Sequence, residues 1–286
     1  MGCPLTGTRA PPVTRDGGRV IVEFVGTPGA GKTTLATGLV ALLEERGIEA
    51  ANVVGAARDH VRRTRAGHLI ARSTPRWLGD FLLWQAFYLL GVAHAIRFVG
   101  ERPTLVRHAL RSQLRPGLPF RTRAHVLYWF VHLCGRYRFL RATTAEHEVL
   151  VLDDGFMHRT VHLFASPFDE PDARQISTYV DLIPPPDLVV VAVAGWRECE
   201  QRVRNRGVWR HARRLTAAEL SRYLEHAERV VDIATRRARE RGWSLIEIAT
   251  ERVEPAGING PLVPVRESVA APGPHGRSLG EGGSVA

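Results

Sequence analysis

Lysine is almost missing from this chain. Of its 39 basic residues one is lysine, Lys32, and arginine supplies the rest. So lopsided a ratio points to a coding bias toward arginine, as in GC-rich genomes. It weakens the formal charge of +10 as a sign of nucleic-acid binding. A groove reader would also need a recognisable module or aromatics interleaved with its basic residues, and neither is found. Cysteine is scarce too. Cys3, Cys134 and Cys199 are far apart, odd in number and never in a CxxC pair. That argues against a disulfide framework or a cysteine zinc site and fits a reducing cytoplasm. Long apolar runs are lacking. The greasiest stretch, Phe81 to Val99, is broken by Gln85, His94 and Arg97, which argues for a buried helix over a membrane span. The N-terminus is not expected to be a secretory leader, since Met1-Gly2-Cys3-Pro4-Leu5-Thr6 has no basic-then-apolar run. It fits the loose myristoylation pattern, which is too short to weigh.

What is present is enough for a sizeable core: 286 residues, 44% of them apolar. Residues 1–18 and 266–286 are rich in small and turn-forming residues and are expected to be disordered tails. Between them lie five short apolar runs: 20–25, 48–54, 149–152, 188–193 and 245–248. Helical patterns separate them. Leu35, Leu39, Leu42 and Leu43 share one face of a helix over 33–46, which Arg46-Gly47 ends. Thr216 and Glu219 have capping-box spacing ahead of Leu220, Leu224, Ala227, Val231, Ala234 and Ala238, with Gly242 as the stop. Continuous apolar strands alternating with helices predict an α/β fold with a parallel sheet covered on both faces. About ninety residues, 58–145, separate the second and third runs and read as an all-helical insertion beside the site.

Gly26-Thr27-Pro28-Gly29-Ala30-Gly31-Lys32-Thr33 fits G-x-x-x-x-G-K-[ST] without a mismatch, after a strand and before an amphipathic helix. Glycines let successive backbone N–H groups turn toward phosphate oxygens, and the helix start adds its positive end. Lys32 supplies a mobile charge for the β- and γ-phosphates and Thr33 a hydroxyl for Mg²⁺. The one lysine of the chain stands here, where an ammonium packs differently against phosphate than a planar guanidinium does.

Val149-Leu150-Val151-Leu152-Asp153-Asp154-Gly155 ends an apolar strand on carboxylates, the pattern of a Walker B strand. Asp153 is assigned to Mg²⁺ through water and Asp154 to the acceptor as base or orienter, with the reverse left open. Arg202, Arg204, Arg206 and Arg210 cluster around Asn205-Arg206-Gly207, with Arg202 and Arg206 one turn apart; they are candidates to close over a triphosphate. Arg159 is a candidate for an acceptor anion and Arg58 a weaker one. His158 and His162 stand at i, i+4, a zinc-compatible spacing with no third ligand evident, and read as helix surface.

These segments resemble the nucleoside and nucleotide kinase group of P-loop proteins, especially its thymidylate kinase-like members. The likeness rests on Gly26–Thr34, on Asp153-Asp154-Gly155, and on Pro186–Val191 followed by Glu200–Gly207. It covers residues 19–57 and 146–250. It implies a three-layer P-loop fold with a five-stranded parallel sheet, ATP as donor bound by Gly26 to Thr34, Mg²⁺, and a lid over 202–214. Thymidylate kinases usually carry Asp-Arg-Tyr where this chain has Asp153-Asp154-Gly155, and Gly55–His60 replaces their acceptor loop. The expected activity is therefore ATP-dependent phosphorylation of a small acceptor, a nucleotide, a nucleoside or another hydroxyl. A P-loop switch or motor on a macromolecule is the alternative, and a nucleotide-binding module without catalysis a third. No nucleic-acid or membrane partner is expected, and a homodimer stays open.

Overall fold

Six residues of Val, Ile, Glu and Phe are too few for a stable helix, and branched Cβ atoms favour the extended chain. In the computed structural model this run is strand β1 (Val20–Val25), buried at every position. The structure describes residues 19–52, 56, 91–114, 120–143, 149–208, 213, 215–250 and 259–270.

After β1 come α1 (Lys32–Glu44), β2 (Ala50–Asn52), α2 (Pro103–Ser112), α3 (Phe120–Thr143), β3 (Val149–Leu152), α4 (Phe156–Phe164), α5 (Ala173–Leu182), β4 (Leu188–Val193), α6 (Trp196–Arg206), α7 (Ala217–Glu240), β5 (Leu245–Ala249) and α8 (Asn259–Ala270). The strands form one parallel sheet in the order β2-β3-β1-β4-β5. This is the α/β fold class expected: a five-stranded parallel sheet between helical layers. Because β1 and β3 are parallel neighbours, with Glu23 opposite Leu152, the loops that follow them leave from the same edge.

Alternation along β1 splits the core in two. Val20, Val22 and Phe24 pack with Leu35, Leu39 and Leu43 of α1 and with Leu262, Val265 and Val269 of α8. Ile21 and Val25 join the opposite core with α2, α3, α4, α5 and α7. Glu23 shares that second face and is the one charged residue in β1.

Several boundaries differ from the sequence expectation. The second strand is shorter than 48–54: pairing with β3 covers Ala50 to Asn52, and 53–54 lie outside the described residues. The tail expected from residue 266 is overturned over 266–270, which complete α8. A run holding Pro264 looks unhelical, yet it buries Leu262, Val265 and Val269 and is held by that contact. Tail 1–18 lies outside the described residues. So does 57–90, which includes Arg58; the described part of the insertion, 91–101 with α2 and α3, is helical. There Gly135 of α3 meets the backbone of Gly91 with no space for a Cβ, so α3 and the helical segment 91–101 pack backbone to backbone. The Thr216–Glu219 capping box starts α7, with Thr216 N–H donating to Glu219 at 2.7 Å. No helix among the described residues is long and apolar enough to cross a membrane.

Candidate functional site

The loop after β1 folds as its glycines dictate. Gly29 and Gly31 have φ of +97° and +86°, the left-handed region that side chains avoid. Space matters as well: a Cβ on Gly26 would lie 2.6 Å from the Ala192 carbonyl oxygen, and one on Gly29 2.7 Å from that of Cys199. Strand β4 and helix α6 thus press on the loop and hold its shape. Gly31 is the residue before α1, so Lys32, Thr33 and Thr34 form the helix's first turn. Thr27 and Ala30 are buried, Pro28 is half-buried, and Thr33 and Thr34 are exposed.

Lys32 is buried, and its Nζ donates to the carbonyl oxygens of Gly26 at 2.9 Å and Thr27 at 3.0 Å. Burial lowers its pKa to about 8; Asp153 and Asp154 act against this, and Arg206 adds to it. An ammonium held by two neutral carbonyls is short of negative charge, which is the condition for attracting an anion. Nucleotide affinity should therefore be flat below pH 8 and weaken above it, by up to about tenfold per pH unit, as the free protein loses the Lys32 proton. Binding titrations between pH 7 and 10 measure this; an affinity unchanged across that range would remove Lys32 from phosphate binding.

Thr33 Oγ1 donates to Asp153 Oδ2 at 3.2 Å, joining the end of β3 to the start of α1. Asp154 is held differently. Arg159 Nη2 reaches both its carboxylate oxygens, at 2.6 and 2.5 Å. The two neighbouring acids thus face different partners, as alternation at a strand end requires. Arg159 is nearly buried and engaged with Asp154, so it is not the open anion receptor expected.

The arginine cluster separates on inspection. Arg202 Nη2 donates to the Thr250 carbonyl at 2.9 Å and Nε to Glu198 at 3.0 Å; Thr250 itself borders Gly31. Arg204 pairs with Glu200, one turn back on the same helix. Arg206 is exposed and close enough to Lys32 to shift its titration. Arg210 lies outside the described residues, as does most of the expected lid beyond Val208.

Residues that sequence reasoning passed over complete the site. A cleft opens beside Thr33, Asp153 and Asp154, lined also by Asn52 at the end of β2 and by Arg136 and Tyr137 of α3. Nothing local in a helix so rich in aromatics and arginine marked those two. Glu23 is the second omission. Its fully buried carboxylate accepts from the backbone N–H of Met157 and, at 3.2 Å, of His158, so it caps α4 from the neighbouring strand. Burial raises its pKa to about 8, against the pull of those two N–H groups. Gly155 has no side chain because a Cβ there would run into the Glu23 carboxylate. A glutamate inside an otherwise apolar strand was the available signal.

The histidine pair departs from the surface reading. His158 is 7% exposed, and burial first, then positive neighbours led by Lys32, keeps it well below the usual histidine range. His162 lies a turn away, its ring centroid 5.1 Å off, and Asp154 supplies the third group that the sequence did not reveal. Cys199, beside the loop, is pushed up to about 11 by burial, which leaves no thiolate at neutral pH.

No protein-family model and no curated protein matches the chain. Among solved structures, the chain is similar to a deoxyadenosine kinase from M. mycoides in three ligand states. With bound dATP the identity is 12% and the TM-score 0.43, over 88% of this chain and 100% of that one. With dCMP and a flexible dCDP the values are 14% and 0.41, and with dCTP 11% and 0.38, each over 84% of this chain and 95% of that one. Likeness at that level concerns the path of the chain and names no substrate.

Proposed function

We propose that this protein transfers the γ-phosphoryl group of Mg-ATP to a small acceptor, a nucleotide, a nucleoside or another hydroxyl compound, bound in the cleft between β3 and α3. The observation that carries the reading is the 3.2 Å hydrogen bond from Thr33 to Asp153 at the mouth of that cleft. A hydroxyl and a carboxylate at this spacing, next to a buried ammonium and a glycine cradle, suit a magnesium ion with its nucleotide phosphates. Thr33 and Asp153 would hold the ion, whose chemistry is to neutralise charge that develops on the phosphates.

The chain's own groups do the rest. Backbone N–H groups of the loop and Lys32 hold the β- and γ-phosphates, and Arg206, with Arg202 behind it, adds positive charge from α6. Asp154 orients the acceptor hydroxyl and accepts its proton, with Arg159 fixing the carboxylate. Arg136, Tyr137 and Asn52 line the acceptor side. Transfer then depends on positioning and charge neutralisation, with no covalent enzyme intermediate.

The test is ATP consumption with a panel of nucleosides, nucleotides and other hydroxyl compounds, with mass detection of an added phosphate. Asp153→Asn should raise the Mg²⁺ concentration needed for half-maximal transfer by roughly tenfold or more, the loss of one charged interaction. ATP hydrolysis that needs no acceptor, with no phosphorylated product across the panel, would favour the switch or motor reading and overturn this one.

A further inference from the structure

We propose that Asp154, His158 and His162 bind a transition-metal dication of the Zn²⁺, Co²⁺ and Ni²⁺ class. The site is separate from the Thr33–Asp153 pair and does not rest on the kinase reading, but it shares Asp154 with the acceptor side, so an ion bound here would compete with the acceptor hydroxyl for that carboxylate. Asp154 follows the end of β3, and the histidines stand one turn apart on α4. Their three ligand atoms all lie within 4.8 Å of one another. Zinc bonds such atoms at about 2.0–2.2 Å, so donors on one ion stand within roughly 4 Å of each other. The remaining gap is under about 1 Å, within the reach of a small side-chain rotation. A second observation points the same way: His158 is 93% buried by its 7% exposure, and its Nδ1 has no hydrogen-bond partner. A buried ring nitrogen left without a partner is rare unless something else satisfies the ring.

The donor set chooses the ion. Two imidazole nitrogens and one carboxylate oxygen suit borderline metals and leave open positions, whereas Mg²⁺ and Ca²⁺ take oxygen. Arg159 sharpens the choice because it already holds both oxygens of Asp154. Each oxygen keeps a further lone pair for an ion, and the repulsion of the adjacent guanidinium favours an ion that also bonds strongly to imidazole. A second cleft, lined by His125, Trp129, Arg159 and His162 and sharing Asp154 with the first, would give an ion held by Asp154 and His162 a way in from solvent.

The experiment uses the full chain, freed of metal by chelator dialysis. Zn²⁺ is titrated by calorimetry and Co²⁺ by visible absorption, both with millimolar Mg²⁺ present. One equivalent is expected to bind, and His162→Ala should weaken binding by about 100-fold or more, since loss of a mere outer partner costs 10- to 100-fold. Circular dichroism checks that this half-buried position tolerates alanine. His158→Gln should act in the same direction. Failure of the wild-type chain to take up an equivalent overturns the proposal, as does a His162→Ala chain that binds with unchanged affinity, which would assign the uptake to other histidines.

Discussion

Lys32→Ala is expected to cut phosphoryl transfer by about 10³-fold while the chain stays folded. A preorganised hydrogen-bond donor aimed at developing charge is worth roughly 10²–10³ in rate, and Lys32 adds a full charge in a water-poor site, which places it at the upper end. The structural cost is small for a nameable reason. The two carbonyls that lose their donor, Gly26 and Thr27, sit at the loop, and Thr27 O still accepts from Ala30 N–H at 2.9 Å. Deleting a desolvated ammonium also removes a penalty, so the net change in stability should stay within about 1 kcal/mol. Lys32→Arg is the sharper control. Arginine serves at every other basic position of this chain, yet its planar fork does not fit a pocket closed by the Gly26 and Thr27 carbonyls. It should fall within tenfold of the alanine variant. Coupled ATP-consumption rates alongside urea unfolding separate the two effects. Transfer retained within tenfold of wild type by Lys32→Ala would end the assignment of phosphate binding to this loop.

The parts that were legible in the sequence are those written in local pattern. A strand, a glycine loop and a helix over 20–44 are contiguous, and each glycine answers to a neighbour or a dihedral visible in the fold. Apolar runs named the five strands because a parallel sheet buried on both faces needs no alternation. The strand order did not follow from the runs: β3 lies between β1 and β2, and a row of apolar segments does not say which of them pair. Side chains from distant segments were legible only where two motifs called for one ligand. Thr33 and Asp153, 120 residues apart, were joined by the shared assignment to Mg²⁺, whereas Glu23 and His158, 135 apart, had no motif to join them. The histidine pair shows the same limit. Their spacing was plain, while burial of one and the approach of Asp154 depend on how α4 is set against β1. Helix α8 was missed because its proline and small residues suggest no helix; packing against α1 overrides propensity there.

Glu23 carries the second large effect. Its folded pKa of about 8 stands above the ordinary 4.5, so between those values the folded chain keeps a proton that the unfolded chain has released. Its contribution to stability is complete below about pH 4.5 and is lost as pH rises through about 8. At 1.36 kcal/mol per unit the swing is on the order of 4 kcal/mol. Glu23→Gln keeps an acceptor for the N–H groups of Met157 and His158 and cannot titrate. It should match wild type near pH 5 and be more stable by a few kcal/mol at pH 8, to the same order as that swing. Glu23→Ala should behave differently. Two buried N–H groups at the start of α4 lose their acceptor, at about 1–3 kcal/mol each, and the chain is destabilised at every pH. Its transfer rate should fall as well, because the turn that Glu23 caps is the one that delivers Asp153 and Asp154. Urea unfolding of the three chains from pH 5 to 8 decides the matter. If wild type and Glu23→Gln show parallel stability profiles, the carboxyl does not titrate in the fold, and the capping of α4 has to be carried by an ionised group.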